Sequence, residues 1–174
     1  MDAQKILVVS DIHSNVRFLK AALNWAKDYH FDAAVFLGDG LYDLNRVANE
    51  FPIKWKIVRG NNDYEYSVPE TVAFELGGHI FFMCHGHRHG LYNGYDSLIA
   101  AARNLKADAA LFGHTHVPLL ESEGGVLLVS PGSIGNPRSR HGSTFAVIDC
   151  LPGKPLDVHF WQIDSPKEIL ELNL

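Results

Sequence analysis

Five apolar runs in the first two-thirds of this chain lead into metal-seeking side chains. The run 5–10 leads into Asp11-Ile12-His13, and 33–37 into Gly38-Asp39. Likewise 79–84 leads into His85-Gly86-His87, and 107–112 into Gly113-His114-Thr115-His116. The run 54–58 is followed two residues on by Gly60-Asn61-Asn62-Asp63. In open α/β sheets ligands bind at the carboxyl ends of the strands. Five strand-end motifs offering Asp, His and Asn are what a metal site built on such a sheet requires.

The pattern between the motifs names the sheet. The run 5–10 reads as a buried strand, and 14–29 as a helix with Val16, Leu19, Leu23 and Ala26 at helical spacing and Ser14 as its N-cap. A strand at 33–37, a short helix at 43–50 stopped by Pro52 and a strand at 54–58 continue the alternation. Strand, helix, strand, helix, strand predicts a parallel sheet with crossover helices. Beyond Gly60 the rhythm changes. Strands 71–76 and 79–84 flank Gly77-Gly78, a two-residue turn tolerant of positive φ. A helix at 94–105 and a strand at 107–112 come next. Hairpins at 117–122/125–130 (turning at Glu123-Gly124) and 143–149/155–163 follow. Ser165-Pro166-Lys167-Glu168 carries a cap, a Pro at the first helical position and a Glu at the third, predicting a terminal helix. The expected architecture is α/β: one domain, residues 1–174, with two packed mixed β-sheets flanked by helices in a four-layer sandwich.

A net charge of −5 argues against a long nucleic-acid groove. Cys84 and Cys150 lie in apolar runs and read as buried thiols of a reducing compartment rather than a disulfide framework. No signal-peptide pattern opens the chain, and no apolar run approaches the roughly 20 residues that span a bilayer. The expectation is a cytoplasmic protein without a membrane partner. Its oligomeric state stays open, a homo-oligomer included.

Asp11, His13, Asp39, Asn61, His85, His114 and His116 supply seven donors. A tetrahedral zinc uses four. Seven, with waters, suit two adjacent divalent ions of higher coordination bridged by a carboxylate, the arrangement that serves phosphoryl and hydrolytic chemistry. Two such ions carry four positive charges against the two of Asp11 and Asp39, so the pocket is cationic inside an acidic protein and suits a phosphate oxygen.

In this order DIH, GD, GNND, HGH and GHTH resemble the five motifs of the calcineurin-like metallophosphoesterases. The short chain without a cap domain, Asn62 in the third motif and the PGS-x-x-x-PR stretch at 131–138 resemble its small YfcE-like phosphodiesterase branch. The resemblance implies that Asp11, His13 and His116 hold one metal, that Asn61, His85 and His114 hold the other, and that Asp39 bridges. It implies two divalent ions, manganese foremost, with nickel, zinc, iron or cobalt as alternatives. It also implies hydrolysis of a small phosphodiester by a hydroxide formed from metal-bound water. Asn15 becomes a phosphate contact, and Asn62 a substrate-binding and catalytic residue. Many members carry a His at the position of Asn62, thought to protonate the leaving oxygen. An amide cannot deliver a proton. Asp63 therefore lacks the His it would orient, and His87 or His89 is the replacement acid.

Other readings stand beside these. His30, His79, His141 and His159 read as structural, and Asn15 serves equally well as a helix-starting residue. A protein-interaction scaffold on the same fold with vestigial metal binding is the alternative function, as in the retromer subunit that resembles this family. The intact donor set favours the enzyme.

Overall fold

The computed structural model describes residues 3–164 and 166–172. Strand β1 (Gln4–Val9) pairs in parallel with β2 (Ala33–Phe36), which pairs in parallel with β3 (Trp55–Ile57). On the other flank of β1 lie β9 (Thr144–Cys150), β10 (Asp157–Gln162) and β11 (Lys167–Ile169), all antiparallel, giving a six-stranded sheet in the order β11-β10-β9-β1-β2-β3. The second sheet has the order β4-β5-β6-β8-β7, from β4 (Thr71–Leu76), β5 (His79–Cys84), β6 (Ala109–Phe112), β7 (Pro118–Glu123) and β8 (Val126–Pro131). Helices α1 (Val16–Ala26) and α2 (Leu41–Val47) cover the first sheet, and α3 (Asp96–Asn104) covers the second.

Strand periodicity explains the layering. Successive side chains point to opposite faces, and here both faces are buried. Leu7 and Val9 of β1 pack with α1 and α2, whereas Ile6 and Val8 point into the layer between the sheets. Phe81 and Met83 of β5 meet them there, and Phe82 and Cys84 face α3. Three apolar layers thus hold four layers of secondary structure, the sandwich that the alternation predicts. Burial pushes both thiols, Cys84 and Cys150, up to about 12, so neither is a nucleophile at neutral pH.

The structure differs from the sequence expectation at element ends. Asn15, not Ser14, caps α1: its Oδ1 accepts from the Phe18 amide at 3.3 Å, while Ser14 has φ 66°. Helix α2 starts earlier, at Leu41, and gives way to a 3₁₀ turn at Ala48–Glu50. The second hairpin of the latter half turns at Gly124-Gly125 (φ 58° and 80°). The largest difference is the terminal segment. Lys167–Ile169 is a strand, with Phe160 opposite Ile169 and Gln162 opposite Lys167; the predicted cap, Ser165, lies outside the described residues. An open edge of β10 carries a row of unpaired main-chain groups. Pairing there, with Ile169 on the inter-sheet core, outweighs a capping preference.

Candidate metal centre

The carboxyl ends of β1, β2, β3, β5 and β6 converge on one rim, and the five motifs meet there. Left-handed backbone aims them. Among the described residues seven non-glycine positions have positive φ, and five of these are Asp11 (54°), His13 (42°), Asp39 (61°), His114 (67°) and His116 (61°). Each such residue costs about 1–3 kcal/mol and persists only where its surroundings over-determine it. The two glycines that leave room for the carboxylates are forced by close approach. A Cβ on Gly60 would stand 2.1 Å from Asp39 Oδ1, and one on Gly113 would stand 2.1 Å from Ser10 Oγ.

Two donor groups share Asp11: Asp11, His13 and His116 form one, and Asp11, Asp39 and His85 the other, with the ligand atoms of each group within 4.8 Å of one another. His13 Nε2 lies 3.2 Å from His116 Nε2 and 3.5 Å from Asp11 Oδ1. Asp39 Oδ2 lies 3.5 Å from His85 Nε2 and 3.8 Å from His13 Nε2, between the groups. His85 donates from Nδ1 to the Leu37 carbonyl at 2.7 Å, and His116 from Nδ1 to the Asn136 carbonyl at 2.6 Å. These bonds fix the tautomers, so each Nε2 presents a lone pair to the cavity. Asp11 Oδ2 is held by the Ser10 hydroxyl (2.6 Å) and the His114 amide (3.1 Å), while Ser133 Oγ donates to the Asp11 carbonyl (2.9 Å).

The remaining atoms are left over. Asp11 Oδ1 and His85 Nε2 are buried without a hydrogen-bond partner; His116 Nε2 reaches Asp11 Oδ1 at 3.0 Å without hydrogen-bond alignment. Buried polar atoms normally find partners. Lone pairs and carboxylate oxygens facing one another at these distances repel unless a cation lies among them, so the donor set fits a divalent metal.

Taken without an ion, the same carboxylates attract protons to the imidazoles around them. Burial would raise the Asp11 carboxyl, but the imidazoles of His116 and His13, with His85 and Ser10, hold it well below the usual carboxylate range. Asp39 is also lowered, burial being outweighed by His85 and Asn62. Asp11 raises His13, and burial of His85 is overcome by Asp39 and Asp11, which raise it. His114 and His87 are lowered by burial and by the charge of His85.

The other expected residues fall into three groups. His114 is half-buried, its ring 5.2 Å from that of His85 but outside both donor groups. Asn61 is exposed, and its side chain makes no hydrogen bond among the described residues. Asn62 bonds Asp39 twice, from its amide N (2.8 Å) and its side-chain Nδ2 (2.6 Å). Asp63 accepts from four main-chain amides, those of Asp39, Gly40, Leu41 and Gly60, at 2.8–2.9 Å. Both oxygens are thus engaged in tying the β2 loop to the β3 loop, which braces Asp39. His87 sits 5.6 Å from His85 ring to ring, with a buried Nδ1 lacking a partner and its Nε2 3.9 Å from Glu70. The Nδ1 of His89 meets Ser97 at 2.9 Å. Asn15 is occupied as the α1 cap. The Leu37 and Asn136 carbonyls left no trace in the sequence, since any residue supplies them; Ser133 lies in the PGS stretch already singled out.

A model of the calcineurin-like phosphoesterase superfamily domain matches residues 5–152. The chain belongs to this superfamily. It is 29% identical over 167 residues to the phosphodiesterase YfcE of Escherichia coli K12, covering 83% of this chain and 87% of the relative. A Streptococcus pneumoniae TIGR4 protein described as a predicted phosphoesterase superposes with a TM-score of 0.78 at 27% identity, over 97% of this chain and 98% of the other. The zinc complex of Vps29 from Entamoeba histolytica shares the fold, with a TM-score of 0.76 at 18% identity over 95% and 96% of the two chains. No helix among the described residues is long and apolar enough to cross a membrane.

Proposed function

We propose that this metallophosphoesterase hydrolyses a small phosphodiester at a two-metal centre. The observation that carries the reading is the pair of donor groups joined through Asp11, with unpartnered atoms of Asp11 and His85 turned into their common cavity. Asp11, His13 and His116 would hold one ion; Asp39, His85, His114 and Asn61 would complete the other, Asp39 bridging. When bound, divalent ions supply Lewis-acid activation of water and neutralise phosphoryl charge; manganese, nickel, zinc, iron and cobalt all accept such mixed oxygen and imidazole donors.

The chain's own residues do the rest. His85 and His116 are locked in ligating tautomers by the Leu37 and Asn136 carbonyls. Asn62 steadies Asp39, and Asp63 fixes the loop that carries it. Because Asn62 cannot release a proton, leaving groups that need none are favoured, which supports diesters with acidic leaving groups over alkyl monoesters. His87, with its unpartnered Nδ1 and its ring 5.6 Å from that of His85, is a group able to carry a proton outside the donor set.

The test is metal reconstitution. Chelated protein should not turn over a chromogenic diester, and about two equivalents of divalent metal per chain should restore turnover. Full activity of metal-free protein overturns the reading. Metal uptake without turnover favours the scaffold alternative, which the Vps29-like fold keeps in view.

A further inference from the structure

Beside the metal centre, exposed tyrosines and one arginine line two adjoining cavities that also hold carboxylates of Asp39, Asp43, Asp63 and Glu65. Three features coincide. A cavity of about 380 Å³ is lined by His13, Asp39 and Asn62 on one side and by Tyr42 and Arg46 on the other. An adjoining cavity of about 470 Å³ shares Tyr42, Asn62 and Asp63 and adds Tyr64. Tyr42 and Tyr64 are 76% and 80% exposed.

Helix α2 sets this arrangement. Leu41, Leu44 and Val47 are buried in the layer beneath α1, which fixes the helix phase and turns Tyr42 and Arg46, one helical turn apart, outward over the site. Arg46 has no carboxylate partner among the described residues; its guanidinium carbon stands 5.9 Å from the Tyr42 ring centroid, the outer limit of a cation–π contact. By contrast, Arg59 and Arg88 are both engaged by Glu70. An exposed aromatic pair with a guanidinium free of carboxylates, opening onto the metal-ligand groups His13 and Asp39, has the composition of a nucleotide subsite: faces for a base and planar donors for phosphate oxygens.

We infer that the substrate is a nucleotidyl phosphodiester whose base stacks in the Tyr42–Tyr64 cleft while Arg46 donates to the phosphate. This deepens the proposed function and rests on it. In the reaction water supplies the oxygen that joins phosphorus, the P–O bond to the second ester group breaks, and the departing oxygen takes a proton. The nucleoside monophosphate remains on the tyrosine side.

The experiment compares two esters with one leaving group: the p-nitrophenyl ester of thymidine 5′-monophosphate and methyl p-nitrophenyl phosphate. With the metal-loaded protein, kcat/KM should favour the nucleotide ester by about five- to a hundredfold, the scale of one base on an aromatic ring. The ratio should fall towards one in the Tyr42→Ala/Tyr64→Ala double variant and persist in Tyr29→Ala, an exposed tyrosine that lines a different cavity. Calorimetry on metal-loaded protein is the second readout. Thymidine monophosphate should bind, Arg46→Gln should weaken the monophosphate but not thymidine, and Tyr42→Ala should weaken both. Equal turnover of the two esters by the native protein, or a preference that survives the double variant, overturns the inference while leaving the diesterase reading intact. If neither ester turns over, that reading fails and the calorimetry decides the subsite: tyrosine-dependent nucleotide binding upholds it, and no binding refutes it.

Discussion

Two clusters in this molecule pair histidine with carboxylates, and they differ in nearly every physical respect. At the rim, His85 and Asp11 are fully buried, the backbone of Asp11, His13 and Asp39 is left-handed, and two acceptor atoms have no partner. On the outer face of the first sheet, His159 of β10 is about a third exposed on regular strand. Its Nδ1 meets Glu168 at 2.6 Å and its Nε2 meets Asp157 at 3.3 Å, with Asp149 at 3.8 Å and Lys5 pairing Asp149. The second cluster has more acid per histidine and completes its own bonds. Composition does not distinguish a metal site from a surface ion network; strain and unsatisfied buried atoms do.

Four experiments would break or sharpen that contrast. The largest effect is expected from Asp39→Asn, which removes charge from a position between both donor groups. Diester turnover should fall by more than the roughly 10–100-fold that loss of a group supporting a metal ligand costs, and bound metal measured by elemental analysis should fall with it; His159→Gln should leave both as they are. Two bound ions and normal turnover in the Asp39 variant would erase the distinction between the clusters.

The leaving group comes next. Without an acid at Asn62, native turnover should drop steeply as the leaving group becomes more basic, and Asn62→His should recover part of the roughly 10²–10⁴-fold that general acid catalysis supplies. A flat series in the native protein that steepens in His87→Asn would assign the proton to His87 instead.

Asp63→Ala should lower stability by about 2–4 kcal/mol, since it strands four amides that now share a charged acceptor. Denaturant titration reads this. A change within error would mean that water replaces the carboxylate and that the β2 and β3 loops need no brace.

The smallest effect concerns pH. Burial lowers the His159 pKa, but Glu168, Asp157 and Asp149 outweigh it, so the folded value lies above the ordinary 6.5. The imidazolium's stabilising contribution is therefore full below 6.5 and is lost as pH climbs through the raised value. Melting curves of native protein and His159→Gln should separate near pH 6 and merge in mild alkali, by less than about 1 kcal/mol given the exposure. A gap that widens with pH would reverse the assignment.

Much of this was legible in the sequence because it is periodic. Leu7 and Val9 against Ile6 and Val8 announce a strand buried on both faces, and the Gly77-Gly78 hairpin turns as its glycines predict, with φ 58° and 77°. Asp11, His13, Asp39, His85 and His116 were visible as strand-end donors. What escaped depends on tertiary context. Lys167–Ile169 has a helix-start pattern but faces an open sheet edge. The four amides that Asp63 holds together belong to two loops that no local pattern brings together. Tyr42 and Tyr64 look like ordinary aromatics until the phase of α2 and the cavities they line reveal that they are not core.

The hydrogen bond from His85 to the Leu37 carbonyl joins the second sheet to the first, and Asp11 and His116 face each other across the same seam. An ion held there is a rivet between two slabs, added to the few hydrogen bonds that cross this rim, among them His114 amide to Asp11 and Ser133 hydroxyl to the Asp11 carbonyl. Metal supply would then govern how readily the slabs part as well as how fast a substrate is cut, so starvation for the ion should mark the protein for proteolysis along that seam before any strand has melted.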